Sequence, residues 1–93
     1  MGCLKIDRVE TLTLGTSAQT VGVHGLACLI QNNSESATVY FKEAREDGKK
    51  ATSSNGFALA AGKTTEIPLV AMDLSLVASA ASTDVRVLIL DMG

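Results

Sequence analysis

Apolar side chains recur at every second position through Asp84–Asp91, DVRVLILD, and this alternation sets the reading of the whole chain. Side chains on a strand point to opposite faces in turn, so Val85, Val87 and Ile89 share one face and Arg86, Leu88 and Leu90 the other. The first set belongs in a core. The second begins charged and ends apolar, so its far end must be covered as well. Either the strand is central with both faces buried, or Leu88 and Leu90 meet another subunit. Upstream, LSLVAS (74–79) is a second apolar run, joined to the first by the small and polar AAST (80–83). Two such runs around a short linker predict a β-hairpin over Leu74–Asp91.

The same pattern repeats along the chain. CLKIDRVETLTL (3–14) predicts a strand in which Val9, Thr11 and Thr13 alternate with Glu10, Leu12 and Leu14. The alternation leaves open which set turns inward. Gly15-Thr16-Ser17 predicts a turn, and QTVGVH (19–24) a short edge strand. LACLIQ (26–31) places Leu26, Cys28 and Ile30 on one face and Ala27, Leu29 and Gln31 on the other. The polar segment Asn32–Ser36 follows as a turn. In ATVYFKEA (37–44) Val39 and Phe41 point inward and Thr38, Tyr40 and Lys42 outward, which predicts a second hairpin over Leu26–Ala44. The charged segment Arg45–Lys50 and ATSSNG (51–56) predict a loop, with Asp47-Gly48 and Asn55-Gly56 as turn dipeptides. Phe57-Ala58-Leu59 then contributes Phe57 and Leu59 to the core. Ala61-Gly62-Lys63 turns, and TTEIPL (64–69) is an edge strand, because Pro68 has no N–H for a ladder. No sustained helical period occurs. About seven or eight short strands with turn signals every 8–12 residues predict an all-β chain. The expected architecture is a small antiparallel sandwich or barrel, one domain spanning residues 1–93.

Composition sharpens this picture at three points. A chain of 93 residues is 46% hydrophobic, with a mean hydropathy of +0.26. Small domains bury a modest share of their surface and often gain stability by oligomerising. A partner is therefore expected, in the first place further copies of the chain in a trimer or larger ring. The formal net charge is −2, with no concentrated basic stretch, so nucleic acid is not an expected partner. No run approaches the roughly 20 apolar residues of a transmembrane helix, so no membrane span is expected. Asp7 and Glu10 stand where an exported chain would carry an apolar stretch. Met1-Gly2-Cys3 begins like a myristoylation site, but Ile6 replaces its Ser or Thr.

Candidate chemistry is sparse. Cys3 and Cys28 are the two cysteines and His24 the single histidine. Neither cysteine lies in a CxxC pair, and both are read as reduced thiols. On a strand His24 and Cys28 would stand about 13 Å apart, too far for a base and nucleophile. Glu43, Glu46 and Asp47 interleave with Lys42, Arg45, Lys49 and Lys50, which suits a solvated loop better than a calcium loop. No phosphate-binding motif occurs. Asn32-Asn33-Ser34 matches the glycosylation triplet but reads as a polar turn. No catalytic, metal or cofactor-binding residue is assigned. The informative residues are Leu12, Leu14, Leu29, Leu88 and Leu90. Each sits opposite a stronger core candidate on its own strand, so these five are the expected contacts with a partner, the alternative being that both faces are buried within one sandwich.

One stretch carries a resemblance. VYFKEAREDGKKATSSNGFALAAGKTTEIPL and DLSLVASAASTDVRVLILD resemble small structural proteins of tailed bacteriophages. The shared features are Asn55-Gly56-Phe57, Leu59, Ala61-Gly62, Asp73-Leu74 and Thr83–Leu88, over roughly the last two-thirds of the chain. The resemblance implies a virion protein made in a bacterial cytoplasm. A capsid decoration or cement protein on the major capsid protein is the first expectation. A neck or tail adaptor, tail-tip or fibre-base component, or a host-binding knob, is the alternative. The motif contains no catalytic signature, so an enzyme is not expected.

Overall fold

The computed structural model describes residues 4–44, 50–68 and 72–92. Eight strands occur in this order: β1 (Leu4–Leu14), β2 (Gln19–Val23), β3 (Ala27–Asn32), β4 (Val39–Glu43), β5 (Phe57–Leu59), β6 (Thr64–Pro68), β7 (Met72–Ala78) and β8 (Thr83–Met92). They form two four-stranded antiparallel sheets, β1-β8-β3-β6 and β2-β7-β4-β5. The all-β sandwich expected from the alternation is the observed architecture, with eight strands.

The two halves of the chain pair in reverse order. β1 runs against β8, β2 against β7, β3 against β6 and β4 against β5. The chain is thus one long antiparallel ribbon, rolled so that its segments fall alternately into the two sheets. β3 then also pairs with β8, and β4 with β7. This is the jelly-roll arrangement, two interlocked Greek keys.

Two expected hairpins are overturned by this winding. β7 and β8 lie in different sheets, as do β3 and β4. The linkers at 79–82 and 33–38 step from one sheet to the other at the surface instead of folding a strand back on its neighbour. A turn-like linker between apolar runs does not distinguish these two routes, because both need the same small polar residues. Among sequential strands, only β4 and β5 are paired neighbours. Ser82 adopts a left-handed backbone (φ 58°) in the β7–β8 crossing, and Gly62 (φ 74°) does so in the turn before β6. Thr83 Oγ1 donates to Ala80 O at 2.9 Å and fastens the first of these.

The inward faces follow the alternation within the strands, but Leu26, expected on the face of Cys28 and Ile30, precedes β3 and is 43% exposed. Val85, Val87 and Ile89 of β8 are fully buried, together with Cys28 and Ile30 of β3, Val39 of β4, Leu76 of β7 and Val23 of β2. β-Branched residues dominate this list, as suits a pleated, packed surface. β1 turns Leu12 and Leu14 inward, opposite Val85 and Thr83. Leu14 is 1% exposed and Leu12 is half-buried against the core. Leu14 is therefore a core residue and not a surface contact, which corrects its expected role. Phe57 is corrected in the other direction. It is 72% exposed, because β5 is an edge strand and its first residue lies beyond the margin of the core.

Asn32 is the polar residue that the core depends on. Expected in a turn, it ends β3 and is completely buried. Its Nδ2 donates to Ala37 O and Leu59 O, both at 2.9 Å. Its Oδ1 accepts from Ser34 N at 3.2 Å and Ser34 Oγ at 2.6 Å. One carboxamide thus ties β3 to the start of the β4 crossing and to β5 in the opposite sheet. The same bonds remove Asn32 as a glycan acceptor in the folded chain. Asn32→Ala removes the side-chain donor from Leu59 O and leaves Ala37 O with Ser34 Oγ at 3.0 Å, and should cost about 2–4 kcal/mol in equilibrium urea unfolding. A loss below about 1 kcal/mol would mean that water replaces the carboxamide at little cost.

Candidate protein-interaction face

The sandwich has two outward faces, and the chain treats them differently. On β2-β7-β4-β5 the outward residues include Ser75 and Val77 of β7, and both are buried. Residues 50–56 cover them. Ala51 is buried and its N–H donates to Ser75 Oγ at 2.9 Å. The loop is held in shape by its own polar groups: Thr52 N donates to Asn55 Oδ1 at 2.7 Å, and Gly56 N to Thr52 O at 2.9 Å. Asn55 Nδ2 donates to Lys50 O at 3.1 Å. Gly56 lies so close to β4 that a Cβ there would stand 2.7 Å from Tyr40 Cβ and 3.1 Å from Phe41 N. Only glycine allows the loop to settle at this distance.

Among the described residues, no loop covers the outward face of β1-β8-β3-β6. Opposed residues of antiparallel strands share a face, so the register defines its rows. Ile6, Leu90, Ala27 and Pro68 form one row, and Val9, Leu88, Leu29 and Glu66 the next. Thr11, Arg86, Gln31 and Thr64 form a third, polar row. Ile6 is 61% exposed, Val9 52% and Met92 51%, while Leu29, Leu88 and Leu90 are half-buried. The face is therefore apolar at the Leu90 end and polar at the Arg86 end. A shallow depression of about 310 Å³ lies between these halves, lined by Val9, Leu29, Gln31, Thr64, Arg86 and Leu88.

Of the five expected contact residues, Leu29, Leu88 and Leu90 come together on this face. Leu12 and Leu14 do not, since the inward parity of β1 takes both. Ile6, Val9 and Met92 belong to the patch and were not among the expected residues. Val9 could have been found: it opposes Leu12 and Leu14, so assigning those inward sends it outward. Ile6 could not, because a bulge between Ile6 and Arg8 shifts the alternation within β1.

The polar end is organised around Asp84. It accepts from Asn33 Nδ2 at 2.9 Å and from Arg86 Nη2 at 3.2 Å. These bonds, that from Asn33 foremost, hold its carboxyl below the usual carboxylate range. The β1/β2 side of the sandwich is closed by charge. Arg8 Nη2 donates to Gly22 O at 2.5 Å and its Nε to Glu10 Oε1 at 2.8 Å. Inward-pointing charges and a bulge are devices that keep an edge strand from pairing with another chain.

The opposite side, between β5 and β6, is open. The Phe41 and Phe57 rings meet there with centroids 5.7 Å apart. A cleft of about 420 Å³ lies beside them, with Ile67 and Leu74 in its walls. His24 is exposed beyond the end of β2, whereas Cys28 is sealed in the core, where burial pushes its thiol pKa up. A raised pKa keeps the thiol protonated and unreactive. Among the described residues, no group of three His, Cys, Asp or Glu side chains is placed to hold a metal ion. Cys3 and the charged segment 45–49 lie outside the described residues.

The assignment of faces has a direct test. Leu88→Asp and Leu90→Asp place a carboxylate on a half-exposed outward face and should lower unfolding stability by about 1 kcal/mol or less. Leu14→Asp buries an unpaired charge and should abolish cooperative unfolding in urea. Equal damage from all three would show the outward face to be core. In comparisons with protein-family models, with curated proteins and with solved structures, nothing matches this chain.

Proposed function

We propose that this chain is a structural protein of a bacteriophage virion, a capsid decoration protein that works by occupying junctions of the head lattice. The observation that carries the reading is the asymmetry of the sandwich. One outward face is covered by the chain's own loop, while the other displays Ile6, Val9, Leu88, Leu90 and Met92 around a shallow depression. Exposed apolar patches of this kind, rimmed by polar residues, mark docking surfaces. Copies of a small rigid sandwich, seated on neighbouring capsomers and joined through such faces, would contribute binding energy across the boundary between them. They would so oppose expansion of a shell under internal pressure.

The residues behind the phage resemblance are framework positions in this fold. Asn55 and Gly56 shape the covering loop, Gly62 makes the turn into β6, Leu74 is core, and Thr83–Leu88 begin the central strand β8. The resemblance therefore bears on how the chain folds and leaves the docking face to be judged on its own geometry. Jelly rolls serve viral shells and sugar-binding proteins alike, so the architecture supports the reading without selecting it.

A neck or tail location keeps the same docking logic and differs in number. A host-binding knob has one observation in its favour. Thr16, Thr52, Ser53, Ser79 and Tyr40 place their hydroxyl-bearing side chains around a groove of about 390 Å³ over Val77. Quantitative mass spectrometry of purified particles should find the chain at a copy number comparable with the shell protein. About a dozen copies would place it in the neck or tail, by the symmetry of such rings. Its absence from particles would remove the virion reading. A rise in melting temperature with one member of a sugar panel would favour the knob, since a ligand of the folded state stabilises it.

A further inference from the structure

We propose that the outward face of β1-β8-β3-β6 is a self-association surface, on which two copies of the chain pack face to face about a two-fold axis. The proposal rests on reading that face as a docking surface, and it names the occupant as a second copy.

Three features support a second copy in this geometry. The first is area. The strands of this sheet contain 11, 10, 6 and 5 residues. At about 3.4 Å per residue and 4.8 Å between strands, their flat footprint is roughly 500 Å² per copy, or about 1,000 Å² for the pair. Side-chain relief adds to that figure, so the face reaches the size of a specific interface without help from the rest of the molecule.

The second feature is relief. Ile6 and Met92 project at one end of the face, and the depression bounded by Val9, Leu29 and Leu88 lies nearer its middle. A two-fold axis lying in the interface plane uses each knob and each hollow twice, once from either copy. In an isologous contact the same patch serves both partners. The third feature is charge. Arg86 and Glu66 place opposite signs on the face, in adjacent rows and two strands apart. A copy brought face to face therefore does not meet a field of one sign.

A ring would need a second, different apolar patch to receive this one, because head-to-tail contacts join unlike surfaces. The Phe57 side of the molecule, at the β5/β6 opening, is the described surface that could serve, and it provides the control. The experiment is sedimentation velocity and equilibrium of the full chain over a range from low to high micromolar concentration. The expected result is a reversible monomer–dimer equilibrium. Leu88→Asp should raise its dissociation constant about tenfold or more, and Phe57→Ser should leave it unchanged. Val9→Asp, at a more exposed position, replaces Leu88→Asp if that variant does not fold.

A trimer or larger ring that Phe57→Ser dissolves would overturn the two-fold arrangement. So would a dimer indifferent to both face variants, or a chain that stays monomeric throughout. Particles distinguish the last case further. A monomer that is present on virions, and is lost from them with Leu88→Asp, keeps the docking face and removes only self-association. A monomer absent from virions removes both readings.

Discussion

The pairing of β1 with β8 is the constraint on which the remainder of the fold rests. It joins the first described strand to the last, Leu4 opposite Met92 and Leu14 opposite Thr83. β8 is thereby made central, with β1 on one flank and β3 on the other. A central strand needs apolar residues on its inward face and tolerates them on its outward face, and DVRVLILD provides both. With the ends of the ribbon paired, each later pairing moves one step inward along the chain, to β4 and β5. Nearly all of these contacts are distant in sequence. A fold of this kind closes large loops before its contacts reward them, and belongs among the slower-folding topologies.

The consequences for the surface follow from the winding. Every pair of sequential strands except β4 and β5 is divided between the two sheets, while β4 and β5 share one. Residues 50–56 of the β4–β5 connection lie back over Ser75 and Val77 and cover the outward side of their own sheet. The other sheet has no comparable connection, since its strands enter it singly from the opposite layer. One face is therefore covered and the other exposed for a topological reason, independent of which residues occupy them. The residues then agree with the topology: Leu29, Leu88 and Leu90 stand on the exposed face and give it a docking character.

The edges complete the same logic. Arg8, held by Glu10 and Gly22, closes the β1/β2 side with charge at a bulge. Pro68 ends β6, which is the edge strand on the other side of its sheet. Both devices discourage strand addition to the edges of this sheet, which leaves its flat outward face for contact. The potential nucleophile Cys28 contributes to this economy as a core residue of small volume, sealed and protonated.

The chain's sequence by itself determined the strands, the inward residues of β3, β4 and β8 and the edge positions of β2 and β6, because a period of two is a local property that any half-buried strand must display. It also assigned Leu29, Leu88 and Leu90 to the less obvious sides of β3 and β8, which is where the exposed patch forms. Tertiary structure alone decided the partners of each strand. The linkers after β3 and β7 look like hairpin turns and are crossings, since small polar residues serve a turn within a sheet and a step between sheets equally well. It likewise placed Leu12 and Leu14 in the core, because a bulge after Ile6 sets the parity of β1, and it left Phe57 exposed although it shares the face of Phe41, because an edge strand has no further neighbour to cover it. Asn32 was the least legible residue: Ser34 and Ala37 are local partners, but its burial also depends on Leu59 O of β5, which only the rolled ribbon brings to it.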